Sequence, residues 1–280
     1  CCQHNHAQGW PYYSEHLILA TPDNGAAIAL YAACKATLKV ADGQEITLHE
    51  QTNYPFEEKI SFTVNTTEDV RFPFYLRIPS WCDQPELAIN GKQKEIDPIP
   101  GKYIYIDRTW TDGDKVELNL PMKLSIHTWQ VNKNSVSVNY GPLTLSLKIN
   151  EEYIQKDSRS TAIYDSRWQE GADATQWPSY EIFPKSPWNY ALVLDSKVPL
   201  KNFKVIRKEW PSDNFPFTVS NVPLEVKAIG KQIPSWTLDK YGLCSELPET
   251  NAPKGDREEI TLIPMGAARL RVSAFPNTYE

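Results

Sequence analysis

The chain has 280 residues, 41% hydrophobic, 23% charged and 11% aromatic, a composition that suits one large or two ordinary domains and argues against disorder. Its formal charge is -6, from 29 Lys and Arg against 35 Asp and Glu with both signs scattered, so no basic surface invites nucleic acid. No run approaches the roughly 18 apolar residues that a membrane helix needs, and a membrane is not an expected partner.

A chain opening Cys1-Cys2 without Met reads as a processed protein or a piece of a longer one. A lipid anchor at Cys1 would be followed by a small, polar tether, whereas the sequence turns aromatic at Trp10-Pro11-Tyr12-Tyr13, so truncation is the expectation. From Trp10 to Ala33, the spacing of Tyr13, Leu17 and Ala20, then of Ala26, Ala27, Leu30 and Cys34, predicts two short helices. The break between them falls at Pro22-Asp23-Asn24-Gly25.

Beyond Lys35 the pattern alternates as strands do. Thr37–Val40, Glu45–Glu50, Lys59–Val64, Phe72–Ile78, Leu87–Ile89, Lys102–Ile106 and Lys115–Leu120 each place apolar residues two apart, and Asp42-Gly43, Asn90-Gly91, Pro100-Gly101 and Asp112-Gly113 punctuate them. Many short strands at near-regular spacing predict an antiparallel sandwich. A second β region starts near Val131 with Ser135–Tyr140 and Leu143–Leu147, lapses into an irregular Trp- and Tyr-rich connection over Glu151–Pro187, and resumes at Tyr190–Leu194, Phe203–Ile206, Leu224–Ala228, Glu259–Ile263 and Ala268–Val272. The predicted fold class is therefore mainly β: two antiparallel β-sandwich domains over 36–130 and 131–280, preceded by helical residues 1–35, with a strand of the second domain returning toward the first.

Five cysteines, at 1, 2, 34, 82 and 244, give an odd count with no regular framework. Adjacent Cys1 and Cys2 are poorly placed for a mutual disulfide, but two thiolates can share one zinc. A local site from Cys1, Cys2, His4 and His6 has the wrong spacing for the usual loop-borne zinc sites. Cys34, Cys82 and Cys244 read as buried small hydrophobes. No phosphate loop, nucleophile elbow or HExxH helix occurs, and the abundant carboxylates single out no acid/base pair.

Cys1-Cys2-Gln3-His4-Asn5 resembles the Cys-Cys-x-x-Asn motif of glycoside hydrolase family 127, the β-L-arabinofuranosidases. Gln51–Pro55, Leu76–Cys82, Ile89–Gly91, Trp110–Asp114, Leu118–Met122, Asn139–Leu143 and Ile263–Arg271 follow in the order that the resemblance expects. The resemblance implies a C-terminal fragment, with residues 1–35 the last helices of a truncated catalytic (α/α)6 barrel and two β-sandwich domains after it. It implies a retaining mechanism in which Cys1 is nucleophile and zinc ligand and Cys2 a second zinc ligand, the other ligands and the acid/base lying upstream. His4, Asn5 and Tyr12 would line the substrate pocket. The expected cofactor is Zn2+, incomplete here; the expected partner is a plant-type oligosaccharide or glycoside, and the fragment alone is expected to be inactive. Exposed Trp10, Tyr12, Tyr13, Leu17 and Ile18 would favour a homo-oligomer. A bacterial cytoplasm or periplasm is compatible with these residues. The rival expectation is a non-catalytic carbohydrate-binding or structural module, with Trp168, Trp177 and Trp188 as its sugar platform.

Overall fold

The computed structural model describes Asn5 and residues 7–162, 167–240, 242–249 and 251–280. The chain divides into two compact units, Cys1–Lys123 and Leu124–Glu280.

The first unit is a sandwich of two sheets. β1 (Ile18–Ala20), β2 (Ala26–Ile28), β6 (Val70–Arg77) and β9 (Tyr103–Trp110) form a four-stranded sheet in that order. The other sheet runs β3 (Cys34–Val40), β4 (Gln44–Thr52), β5 (Lys59–Thr66), β10 (Asp114–Asn119), β7 (Glu86–Ile89) and β8 (Lys92–Lys94). Alternation directs Ile46, Leu48, Ile60, Phe62 and Val64 from the larger sheet and Phe72, Phe74 and Leu76 from the smaller into one core. Phe62 and Phe74 meet edge to face with centroids 5.6 Å apart. Trp110 lies 5.7 Å from both Phe72 and Phe74, and its indole N–H donates to the Phe72 carbonyl at 3.0 Å, so the buried ring leaves no polar atom stranded.

The predicted second helix is overturned, and so is the end of the first beyond Glu15. Residues 18–20 and 26–28 are the antiparallel strands β1 and β2, and β2 then pairs in parallel with β6, Ala26 beside Phe74. Ala26 and Ile28 are fully buried there; their apolar spacing serves an inner strand instead of a helix face. Helix α1 (Gly9–Glu15) is what remains of the helical start among the described residues. Leu17, expected at the surface, is buried, and its carbonyl accepts from the Ala29 and Leu30 N–H groups.

Asn90-Gly91 joins β7 to β8 with both residues at positive φ, 50° and 73°, the backbone that a two-residue hairpin of matching twist requires. Nearby Asp114 is buried and accepts from the Thr111 N–H at 3.0 Å, Asn90 Nδ2 at 2.6 Å and Arg108 at 3.1 Å. Burial alone would raise its pKa, but those donors outweigh it and hold the carboxyl below the usual range.

The second unit is built on one sheet, ordered β11 (Leu124–Trp129), β12 (Ser135–Tyr140), β13 (Leu143–Leu147), β19 (Arg257–Pro264), β18 (Leu224–Gln232), β16 (Tyr190–Leu194) and β20 (Asn277–Tyr279), with β17 (Lys204–Arg207) also paired to β18. The C-terminal segment brings its ends together. Phe275 exchanges both backbone hydrogen bonds with Val136 of β12, at 2.9 and 2.8 Å, while the next residues pair with β16, Leu192 N–H donating to the Pro276 carbonyl at 2.9 Å. The sheet thus folds back around a core that holds Val136, Val138, Leu145, Leu192, Val226 and Phe275, and a smaller buried cluster of Ala191, Ile233 and Trp236 lies in the same unit. The mainly β expectation with sandwich-like units holds. The irregular stretch after Asn150 turns out to begin and end in paired strands, β14 (Glu151–Lys156) and β15 (Ser179–Pro184), whereas the strand expected at Ala268–Val272 is replaced by loop docked on β13 through Ser146.

Candidate functional site

Of the residues that the sequence singles out, Cys1, Cys2 and His4 lie outside the described residues. Asn5 and Tyr12 are described, and both are exposed. Tyr12 belongs to α1, whose seven residues include none that is buried and which has no side-chain cap at its start. Its coherence comes from local bonds: Ser14 Oγ donates to the Trp10 carbonyl at 3.0 Å, and His16 Nδ1 lies 2.6 Å from the Tyr12 carbonyl. Such a helix gains nothing from core burial. It displays Trp10 and Tyr12 at 61% and 66% exposure, with Trp10 edge-on to Tyr13 at 6.1 Å.

Where this segment enters the first unit, the structure places a group that sequence reasoning missed. Glu50 occupies an inward position of β4, in register with Ile46 and Leu48, and has no solvent exposure. One carboxyl oxygen accepts from the Ala32 N–H at 3.0 Å, and the Cys34 thiol contacts the other at 3.9 Å. Burial pushes the Glu50 pKa up to about 8, against the lowering effect of those two donors, so the acid is mostly protonated at neutral pH. Burial and the neighbouring Glu50 in turn push the Cys34 thiol up to about 11, which makes it a poor nucleophile and a poor metal ligand. Tyr31 is buried beside them and donates its hydroxyl to the Arg77 carbonyl at 2.5 Å, while Tyr13 of α1 donates to the Tyr31 carbonyl at 3.4 Å. The arrangement is a polar seam between α1 and the sandwich. Its signal in the sequence is an acid standing where alternation calls for a third apolar side chain.

The described residues contain no group of three or more His, Cys, Asp or Glu able to hold a metal ion. Two thiolates such as those of Cys1 and Cys2 suit zinc by chemistry, and both residues lie outside the described ones. The tryptophans expected as a sugar platform do not act alike. Trp177 is 68% exposed, Trp168 is half-buried, and Trp188 packs 5.0 Å from buried Trp236.

The boundaries of the first unit acquire a meaning on comparison with known proteins. Residues 25–122 match the family model of the beta-L-arabinofuranosidase GH127 middle domain. The match begins at the turn before β2 and ends just past β10, so it covers the sandwich from β2 onward and leaves out α1 and the edge strand β1. Among solved structures, a GH127 beta-L-arabinofuranosidase from Geobacillus stearothermophilus T6 is similar at a TM-score of 0.64 and 21% identity, over 99% of this chain and 37% of that one. A protein described as a glycoside hydrolase gives 0.65 and 20%, covering 99% and 40%, and a second GH127 beta-arabinofuranosidase gives 0.64 and 20%, covering 99% and 38%. At these identities the likeness is one of fold, and it extends through both units. The chain spans about two-fifths or less of the length of those proteins. No curated protein matches it.

Proposed function

We propose that this chain is the downstream part of a GH127-like retaining glycoside hydrolase that acts on plant-type arabinofuranosides, and that it is inactive alone. The observation that carries this reading is the GH127 middle-domain match over residues 25–122, set within a likeness to GH127 structures over 99% of the chain. In this reading Cys1 attacks the anomeric carbon as a thiolate and forms a thioglycosyl bond as the glycosidic bond breaks. An acid outside these 280 residues protonates the leaving oxygen, and water then cleaves the intermediate with overall retention. Cys1 and Cys2 are also the proposed zinc ligands; bound zinc would keep both thiols deprotonated near neutral pH, against an ordinary thiol pKa of about 8.5. His4, Asn5 and Tyr12 are proposed to line the sugar, and the exposure of Asn5 and Tyr12 leaves them accessible to do so.

The test is hydrolysis of an aryl β-L-arabinofuranoside by the 280-residue chain and by the whole product of the reading frame that contains it. The expected result is no turnover by the chain, turnover with bound zinc by the whole product, and a loss of about a thousandfold or more in kcat for Cys1→Ser. Turnover unaffected by Cys1→Ser, or a whole product that neither binds zinc nor cleaves the substrate, would overturn it.

A further inference from the structure

The two outward faces of the first unit differ in chemistry. On the six-stranded sheet, outward positions carry Thr37, Thr47, Ser61, Thr63, Lys115 and Glu117, as a solvated face should. On the four-stranded sheet, a single register row runs Leu19, Ala27, Tyr75, Tyr105, and Tyr103 follows one pair along, opposite Arg77. Leu19, Tyr103 and Tyr105 stay 38%, 45% and 56% exposed. The Tyr75 and Tyr105 rings lie 5.1 Å apart at 56°.

Because Ala27 is small, the row has a gap in it. That gap is a shallow depression of about 550 Å3 walled by Leu19, Tyr75, Tyr103 and the turn Thr21–Asp23, a volume within the range of small-molecule sites. The turn is held firmly. Thr21 N–H donates to the Gly25 carbonyl at 3.2 Å, Gly25 N–H donates to Thr21 Oγ1 at 2.9 Å, and a side chain at Gly25 would come within 2.2 Å of the Pro73 carbonyl oxygen. Asp23 stands at the rim, accepting the Thr21 hydroxyl on one oxygen and the Tyr75 hydroxyl on the other at 2.5 Å. These two bonds hold its carboxyl below the usual range and so keep it ionised. A carboxylate has about four acceptor sites, so further hydroxyl donors can be received.

A purely apolar occupant would bury this carboxylate without replacing its water, which is costly. The occupant must bring hydrogen-bond donors together with apolar surface, and a sugar residue does both. We propose that the depression between the Thr21–Asp23 turn, Tyr75 and Tyr103 is an accessory carbohydrate site that seats a pentose residue, its C–H face on the tyrosine rings and its vicinal hydroxyls donated to Asp23. The choice of a sugar over an organic cation, which rings and a carboxylate can also hold, rests on the glycoside reading above. The site itself is independent of Cys1 and of hydrolysis.

The probe is methyl L-arabinofuranoside titrated into the 280-residue chain and followed by NMR shifts of tyrosine ring protons. Saturation with a Kd of about 1 mM or tighter is expected, weakened about tenfold or more by Tyr103→Ala or by Asp23→Asn. Tyr105→Ala, on the same strand but outside the depression, serves as a folding control and should bind nearly as the parent does. No saturable shift, equal binding by Asp23→Asn and Tyr103→Ala, or saturation by tetramethylammonium in place of the sugar overturns the site. If the sugar binds but the whole product fails to hydrolyse arabinofuranosides, the accessory site stands and the hydrolase reading falls.

Discussion

Trp110 and Glu50 lie in the same sandwich and both have no solvent exposure, yet they contribute to it in opposite senses. Around Trp110 the neighbours are Phe72 and Phe74, and the ring's one polar atom is bonded, so every part of the side chain gains from leaving water. Around Glu50 burial works against the charged form, and the carboxyl remains by holding its proton and two donors. The contrast separates the part of the unit that holds it together from the part that receives the incoming segment. Glu50 spends core volume on a tie to Ala32 that an apolar residue could not make.

Three substitutions sharpen this contrast, in order of expected effect. Trp110→Ala should destabilise the first unit by about 3–5 kcal/mol in denaturant unfolding, since it opens a large cavity in a core without slack; a loss below about 1 kcal/mol would mean that the core is looser than its ring contacts indicate. Glu50→Gln should act through pH. The proton is held more tightly in the folded chain, near 8, than at the ordinary value of 4.5, so the parent's contribution from this group is complete below about pH 4.5 and is lost as pH rises through about 8. Relative to the variant, the parent should lose stability at roughly 1.4 kcal/mol per pH unit across that window. Parallel stability curves for parent and variant would show that Glu50 ionises without penalty. Arg71→Ala should be nearly silent. Its guanidinium makes a two-point contact with Asp107 at 3.2 and 2.9 Å, but both groups sit on the surface, and a change of no more than about 0.5 kcal/mol is expected.

Most strands were legible because alternation is a local signal. Lys59–Val64 and Phe72–Ile78 read as strands from period two alone, and both are strands. The region from Leu17 to Cys34 was misread for a physical reason: segments of three residues are too short to show a period, and the alanines that suit a helix also suit a strand squeezed between neighbours. The pairing of 151–156 with 179–184 is not legible in the sequence because its partners stand far apart in the chain and the paired strands leave most of their side chains exposed. Ala268–Val272 alternates without being a strand, since the Arg269 and Leu270 N–H groups donate to the Glu151 carboxyl and Val272 bonds to Ser146 Oγ and the Leu147 N–H. Of the candidate site, Tyr12 is accessible, while Glu50 is not legible in the sequence because a single acid in a strand gives no hint of how deeply its sheet is covered.

What the sequence by itself determined is whatever depends on near neighbours: the strand-rich character, the turns at Asn90-Gly91 and Asp112-Gly113, and the short motifs that resemble the GH127 family. Tertiary structure alone decided what depends on distant partners. It set β2 in parallel with β6, brought Phe275 back to Val136, buried Glu50 beside Ala32 and Cys34, and lined Leu19, Ala27, Tyr75 and Tyr105 into one row. The physical reason is that register between strands is fixed by cross-strand packing and hydrogen bonds, which sum contributions from residues tens of positions apart, and no local pattern carries that sum.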